Sequence, residues 1–128
     1  HGQRVNFKQM DPMDICVVGS VAVSKDGGRT GKGGGFADLE MGVFRSVGTL
    51  LNECPIVTTV SEIQVVENDK IILENHDTPM DWIITPKQVI ETKTNLHKPG
   101  AIDWNSMQED QFLNIPFLRE LKEELTNN

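Results

Sequence analysis

Aromatic residues are scarce in this sequence, and the scarcity limits the ligands that its surface can hold. The 128 residues include no tyrosine, two tryptophans and five phenylalanines. Proteins that bind single-stranded nucleic acid stack bases on several aromatic rings. Basic residues are also in the minority, with 12 against 19 acidic ones and a formal charge of -7. Such a charge disfavours nucleic acid and anionic membranes as partners, so we expect no direct contact with nucleic acid.

Cysteines and long apolar runs are equally few. Cys16 and Cys54 are too few for a disulfide framework or a paired zinc-ligand motif, so both are predicted to be reduced thiols. The longest apolar run covers residues 15–18, far short of the ~20 residues that span a membrane, and the N-terminus has no signal-peptide core. These absences predict a cytoplasmic protein without a membrane contact, with the nucleus as a second compartment.

What is present indicates one α/β domain. Asp14 to Ser24 is nearly continuous in apolar and β-branched residues, as in a strand covered on both faces of a parallel sheet. Apolar residues recur at helical spacing from Phe36 to Leu51, and residues 55–60 form a second β-branched run. Strand, helix and strand in this order make a right-handed βαβ unit.

The rest of the chain offers weaker patterns. Further strands are predicted at 82–85 and 89–92, while residues 64–66 either continue the second strand or form a turn. Residues 1–13 are irregular. A tail at 95–128 ends in a predicted helix over 115–125, with proline in its first turn.

A glycine-rich loop lies between the first strand and the helix. Six of the 11 glycines fall within residues 24–35, together with Arg29 and Lys32. Backbone N–H groups of such a loop approach an anion closely, and the helix N-terminus adds partial positive charge. The pattern therefore predicts a phosphate site, although it fits neither the Walker A motif nor the dinucleotide fingerprint. The alternative is a surface loop whose glycines only turn the chain.

Acidic residues supply two further candidates. Asp38 falls in the first turn of the predicted helix, where a carboxylate either stabilises the helix dipole or holds a magnesium ion that bridges phosphates. Residues 74–81 gather three acids and a histidine, of which His76, Asp77 and Asp81 are candidate metal ligands or general bases. The alternative for this stretch is a turn in which Asp77 accepts backbone hydrogen bonds.

At these stretches the sequence resembles the 5-formyltetrahydrofolate cyclo-ligase family, whose members are also called methenyltetrahydrofolate synthetases. The matching motifs are V-G-S-V-A-V at 18–23, R-T-G-K-G-G-G-F-A-D at 29–38, H-D at 76–77 and D-W-I-I-T-P at 81–86. The likeness runs from about Asp11 to Leu121. These motifs, together with I-P-F-L-R at 115–119, resemble most closely those of the branch called methenyltetrahydrofolate synthetase domain-containing.

The resemblance implies a three-layer α/β domain with a largely parallel central sheet, of which residues 1–128 would be the C-terminal portion, incomplete relative to the full cyclo-ligase domain. In active members, ATP phosphorylates the formyl oxygen of 5-formyltetrahydrofolate. N10 then attacks the activated carbon, and loss of phosphate leaves 5,10-methenyltetrahydrofolate. Magnesium offsets the phosphate charge. The implied cofactors are ATP and Mg²⁺, and the implied small-molecule partners are a folate and a nucleotide.

Carried over to this sequence, the resemblance assigns a phosphate loop, an aromatic contact and a metal-facing carboxylate. Phe36 would contact the folate or the nucleotide, and Asp38 would face the metal–nucleotide complex. It assigns no catalytic residue. The ATP and phosphate loop would consist of Arg29, Gly31, Lys32, Gly33, Gly34 and Gly35.

Three features depart from the pattern of active members. Ala37 replaces the second aromatic residue that usually follows the glycines, and Leu39 and Glu40 follow the aspartate where a polar or basic residue is common. The N-terminal half of the family domain, with a lysine that reaches the ATP phosphates, has no counterpart in residues 1–13. We therefore expect a nucleotide- or folate-binding domain fragment that is not catalytically competent alone.

Two alternatives stay open. One is an ATP-dependent cyclo-ligase that is completed by an N-terminal segment of the same chain or of a partner. The other is a protein-interaction module that uses the acidic terminal helix, in a branch whose members typically carry an RNA-recognition module after this domain. Unpaired sheet edges would also favour self-association or pairing with that N-terminal segment.

Overall fold

A computed structural model of the chain describes residues 2–3, 6, 9–33 and 35–101. This part contains seven strands and one α-helix, α1, at Phe36–Ser46. Short 3-10 helices at Glu62–Gln64 and Asn68–Lys70 flank the fifth strand. The strands are Cys16–Val18 (β1), Ala22–Ser24 (β2), Arg29–Thr30 (β3), Ile56–Thr59 (β4), Val65–Val66 (β5), Trp82–Ile84 (β6) and Val89–Glu91 (β7).

The larger sheet confirms the predicted α/β class. Its order is β1-β4-β6-β7, with β1, β4 and β6 parallel and β7 antiparallel to β6. Cys16 stands opposite Ile56, and Val57 opposite Trp82. Since α1 lies between β1 and β4 in the chain, these elements form the predicted helical crossover between parallel strands.

The prediction of one strand over 14–24 is wrong, because the run is divided between two sheets. β2 belongs to a three-stranded sheet of order β3-β2-β5, in which it is parallel to β5 and antiparallel to β3. Between β1 and β2, the Gly19 carbonyl accepts hydrogen bonds from the Arg29 side chain and the Ser20 hydroxyl bonds Thr58 Oγ1 at 2.6 Å. These contacts take the chain out of the first sheet and into the second, and residues 65–66 pair there instead of extending β4.

The helix ends five residues earlier than its apolar spacing predicts. Gly48 adopts φ +79°, a left-handed conformation, and its N–H donates to Arg45 O at 3.2 Å while the Thr49 N–H donates to Phe44 O at 2.8 Å. This pair of bonds is the Schellman arrangement that closes a helix. Leu50 lies beyond the helix but is only 3% exposed. Its apolar side chain therefore reflects burial in the core and does not indicate that the helix continues.

Both core clusters lie against the same face of the four-stranded sheet. Pairing places Cys16 with Ile56, and Thr58 with Ile83 and Ile90, on this inner face. α1 covers one end of the inner face and the three-stranded sheet covers the other. Beneath α1 the buried residues are Met41, Leu50, Cys54, Ile56 and Met80, and beneath the small sheet they are Val23, Val60 and Ile83.

The opposite face of this sheet, here named the outer face, consists of Val17, Val57, Thr59, Trp82, Ile84, Val89 and Glu91. The described residues contain no helix with the length and apolar character that a membrane span requires. The predicted helix at 115–125 lies outside the described part of the chain.

Candidate functional site

The glycines of the predicted loop belong to two separate features. Gly27 and Gly28 form the turn between β2 and β3, in which Ser24 N donates to Gly28 O at 2.9 Å. Gly27 has φ +103°, and a Cβ at this position would lie 2.7 Å from Met80 O. Glycine is therefore required there by the fold. The loop that leads into α1 is confined to residues 31–35.

This shorter loop is exposed and is built for close backbone approach. Gly33 and Gly35 have φ of +92° and +68°, and Gly35 is the N-cap residue of α1, with no side-chain cap among the described residues. Lys32 is exposed, and its ammonium makes no ion pair with the described part of the chain. Gly34 lies outside the described residues. Gly31 packs on the guanidinium of Arg29, since a Cβ there would lie 3.0 Å from Arg29 Nη2.

Arg29 is placed on β3 and not in the loop itself. Its side chain is 7% exposed and donates two hydrogen bonds to Gly19 O, from Nε at 3.0 Å and from Nη2 at 2.7 Å. The remaining nitrogen, Nη1, lies 3.8 Å from Asp38 Oδ2. Arg29 thus joins the end of β1 to the first turn of α1, and the glycine loop spans the interval between them.

Asp38 connects the loop to the second group of candidate residues. Its Oδ1 accepts a hydrogen bond from the backbone N–H of Thr78 at 2.9 Å, and the side chain is 12% exposed. Burial raises the pKa of Asp38, and the nearby Asp77 carboxylate raises it further, against the opposing effects of the Thr78 N–H and the Arg29 charge. Asp38 therefore ties α1 to residues 74–81, which the sequence had presented as a separate constellation.

Arg45 and Thr78 complete this junction, and sequence analysis identified neither. Thr78 is 1% exposed, and its Oγ1 accepts a hydrogen bond from Arg45 Nη2 at 3.1 Å. Burial lowers the pKa of Arg45, whereas Asp38 and Cys16 act in the opposite direction. Arg45 Nη1 is buried and has no hydrogen-bond partner in the described part of the chain. The one sequence signal was spacing, because Arg45 follows Asp38 by two helical turns and shares its face.

Residues 74–77 form a local turn. Asp77 Oδ2 accepts from Glu74 N at 2.9 Å, and Asp77 N donates to Glu74 O at 3.0 Å. His76 Nε2 lies 3.5 Å from both Glu74 Oε2 and Asp77 Oδ1, with 64% of its side chain exposed. The Asp77 N–H bond to Glu74 O closes a β-turn, and the Asp77 carboxylate bonds back to the first residue of that turn. A metal or general-base role for His76 and Asp77 stays a prediction.

Asp81 links strands of the larger sheet. Its Oδ2 accepts from Ile56 N at 2.9 Å, and its Oδ1 lies 3.3 Å from Lys98 Nζ. Both carboxylate oxygens are therefore engaged at the amino ends of β4 and β6. Within the described residues, no three His, Cys, Asp or Glu side chains are grouped to hold a metal ion.

Phe36 opens α1 directly after the glycine loop, with 59% of its surface exposed. Together, the structure brings Arg29, Lys32, Phe36 and Asp38 to the beginning of this helix, and it attaches residues 74–78 to them through Asp38. A polar junction beside an exposed glycine loop can hold an anionic ligand at a helix N-terminus.

Comparison with known protein families bears on this site. The family model of the 5-formyltetrahydrofolate cyclo-ligase family matches residues 2–86. The chain belongs to this family. The matched residues include the glycine loop, Asp38 and the whole of residues 74–86, so every candidate residue lies within the shared region.

Curated relatives agree with this assignment. The chain is 43% identical over 111 residues to the methenyltetrahydrofolate synthase domain-containing protein of Mus musculus. The aligned region covers 87% of this chain and 30% of the relative. It is 44% identical over 110 residues to the protein of the same name from Homo sapiens, covering 86% and 29%. The Danio rerio protein of that name is 38% identical over 110 residues. The chain thus spans about 30% of the length of these relatives.

Proposed function

We propose that this domain binds a nucleotide or a folate, and that residues 31–35 hold the phosphates of ATP. The observation that carries the proposal is the anchored loop. It is exposed, it leads directly into α1, and it is held at both ends by the contact of Arg29 with Asp38. Membership of the cyclo-ligase family supports the nucleotide as ligand, because members of the family resembled here use ATP.

The chemistry of the loop divides between backbone and side chains. Gly33 and Gly35 have positive φ and carry no side chain, so a phosphate can approach their backbone closely, and the helix N-terminus adds its partial charge. Lys32 supplies an exposed cation. Arg29 has two of its nitrogens committed to Gly19 O, so we assign it the role of positioning the loop and assign Lys32 the direct contact with phosphate.

Magnesium fits this site in a limited way. Proteins often bind Mg²⁺ through one or two carboxylates together with substrate phosphates and water. Asp38 Oδ1 accepts a hydrogen bond from Thr78 N, and Oδ2 lies 3.8 Å from Arg29 Nη1. Asp38 would be the carboxylate that holds the ion, because it is the acidic side chain in the first turn of α1, beside the loop. The remaining ligands would come from the nucleotide and from water, and the ion would offset phosphate charge.

We also propose that the domain does not complete the cyclo-ligase reaction alone. Ala37 leaves Phe36 as the one aromatic ring at the loop, which reduces the stacking surface for a pterin. An N-terminal segment, in the same chain or in a partner, would supply what an active site still needs. The chain matches about 30% of each relative, so proteins of this kind are long enough to contain such a segment.

The test is calorimetric titration of the chain with ATP and magnesium. We expect saturable binding at one site, weakened about tenfold or more by Lys32→Ala, since a charge-assisted hydrogen bond contributes about 1.5–3 kcal/mol. Lys70→Ala is the matched control. Lys70 is also exposed and lies beside the β2–β3 turn, at the opposite end of that hairpin from the loop.

Three results would contradict the proposal. The absence of saturable binding would reject the phosphate site, and equal weakening by both lysine variants would reduce it to general electrostatics. Turnover of 5-formyltetrahydrofolate with ATP, followed by the absorbance of the methenyl product, would show that the chain is a complete enzyme.

A further inference from the structure

Thr78 is hydrogen-bonded to both ends of α1. Its backbone N–H donates to Asp38 Oδ1 at 2.9 Å in the first turn, and its Oγ1 accepts from Arg45 Nη2 at 3.1 Å in the last turn. Thr78 is 1% exposed, and the Asp38 side chain is 12% exposed. A largely buried polar connection therefore runs from Arg45 through Thr78 to the carboxylate beside the glycine loop.

The backbone that follows Thr78 is also fixed. Pro79 and Met80 are fully buried, and the Met80 N–H donates to Gly27 O at 2.7 Å in the β2–β3 turn. Residues 74–77, by contrast, form a turn in which 64% of the His76 side chain is exposed. Thr78 thus lies where a fixed segment meets an exposed turn, and the hydrogen bond from Arg45 holds its side chain against α1.

Arg45 is a costly residue for this structural task. Its Nη2 is bonded to a neutral hydroxyl, and its Nη1 is buried without a hydrogen-bond partner among the described residues. Burial of a charge with incomplete pairing opposes folding, so the bond is better explained by the placement of Thr78 than by stability. The guanidinium is committed to this junction, and we assign it no direct contact with a ligand.

The placement of Thr78 has a consequence for the Asp38 carboxylate. Oδ1 is held by the Thr78 N–H, and Oδ2 lies 3.8 Å from Arg29 Nη1. Contacts at both oxygens fix the plane of the carboxylate before any cation arrives. Groups that orient a metal ligand in this way strongly affect metal affinity, although they do not touch the ion.

We propose that Arg45 and Thr78 are positioning residues for the magnesium of a bound magnesium–nucleotide complex, and that they act through Asp38. The inference rests on the proposed function, in which Asp38 holds the ion and Lys32 contacts phosphate. It separates two effects on binding. Lys32 governs the affinity for ATP with or without metal, whereas Arg45 and Thr78 govern the increase in affinity that magnesium brings.

Calorimetric titration with ATP, in EDTA and in excess magnesium, tests the proposal. The dissociation constant in EDTA divided by that in magnesium is here named the magnesium ratio, and for the original chain we expect it to be well above one. Thr78→Val removes the acceptor of Arg45 Nη2. It should lower the magnesium ratio toward one, by up to about tenfold, and leave the affinity in EDTA unchanged.

Four further variants define the effect. Thr78→Ser keeps the hydroxyl and should retain the magnesium ratio, whereas Arg45→Met removes the donor and should lower the ratio as Thr78→Val does. Thr59→Val makes the same substitution at the exposed end of β4; it is the matched control and should retain the ratio. Lys32→Ala should weaken binding under both conditions and leave the ratio unchanged.

Partial unfolding does not produce the expected result. A variant that is only partly folded has a lower apparent affinity by the same factor in EDTA and in magnesium, so its magnesium ratio is unaffected. An unchanged ratio in Thr78→Val and Arg45→Met, an equal decrease in Thr59→Val, or a ratio of one in the original chain would overturn this inference and leave the phosphate site intact. The absence of saturable ATP binding by the original chain would reject the proposed function, and the inference with it.

Discussion

Arg29 and Asp38 stand on either side of the glycine loop, and the 3.8 Å between Arg29 Nη1 and Asp38 Oδ2 joins its two ends. A loop rich in glycine has a high conformational entropy when it is free. The contact shortens the free part to residues 31–35. It also fixes the direction in which α1 begins, because Arg29 is itself held by Gly19 O.

Arg29→Lys should destabilise the domain although it conserves charge. Lysine lacks the planar fork that delivers both Nε and Nη2 to Gly19 O, so one bond at least is lost from a largely buried position. We expect a decrease of about 1–3 kcal/mol in the free energy of unfolding, measured by urea denaturation. A lysine variant as stable as the original chain would show that the fork geometry at Gly19 is unimportant.

Thr78→Val should cost more than its small change in shape suggests. The valine removes the acceptor of Arg45 Nη2. Arg45 Nη1 is already buried without a hydrogen-bond partner among the described residues, so a second buried donor becomes unsatisfied. The expected loss is about 1–3 kcal/mol. Thr59→Val on the exposed side of β4 is the control and should be close to neutral in thermal unfolding. Equal stability of the two variants would contradict the prediction.

Gly27→Ala should be strongly destabilising. Its φ is +103°, and the added Cβ would approach the Met80 carbonyl to 2.7 Å, so both backbone conformation and space oppose it. We expect at least about 1–3 kcal/mol. Gly19→Ala meets nothing within 4 Å and has no positive φ, and we expect less than about 1 kcal/mol. Chemical denaturation of both variants measures the difference. Equal stability of the two variants would show that position 27 tolerates a side chain.

Asp38→Asn should alter how stability depends on pH. Because burial raises the pKa of Asp38 above its ordinary value of 3.8, the folded state holds this proton more tightly than the unfolded state. The resulting stabilisation is complete below the unfolded pKa and is lost as pH rises through the folded pKa. From pH 4 upward, the original chain should therefore lose stability relative to the asparagine variant. Parallel curves in denaturation at several pH values would contradict this.

Several elements could be predicted from the sequence because their signals are local. The strands at 82–84 and 89–91 and the start of α1 at Phe36 agree with the patterns that predicted them. The division of residues 14–24 between two sheets was missed because an apolar run reports burial but not the partner of each strand. Gly19 was the one local hint of a break.

The candidate site was predicted in its residue types but not in its contacts. The sequence predicted Arg29 as part of the glycine-rich phosphate loop. Pairing with Val23 instead puts it on β3, and its side chain donates to Gly19 O. The contact between Asp38 and Thr78 joins residues 40 positions apart, and no motif spacing encodes it. Arg45 was missed for the same reason, since its partner lies on another element.

The parallel register of β1 against β4 has a kinetic consequence. Cys16 meets Ile56 and Val57 meets Trp82, so the chain must close long loops before these pairs stabilise anything. The Gly19 carbonyl reaches its place only when β1 is seated, and Arg29 has no anchor until then. The glycine loop should accordingly take shape late in folding, and a nascent chain would form the proposed phosphate site only after β4 has been synthesised and has paired with β1.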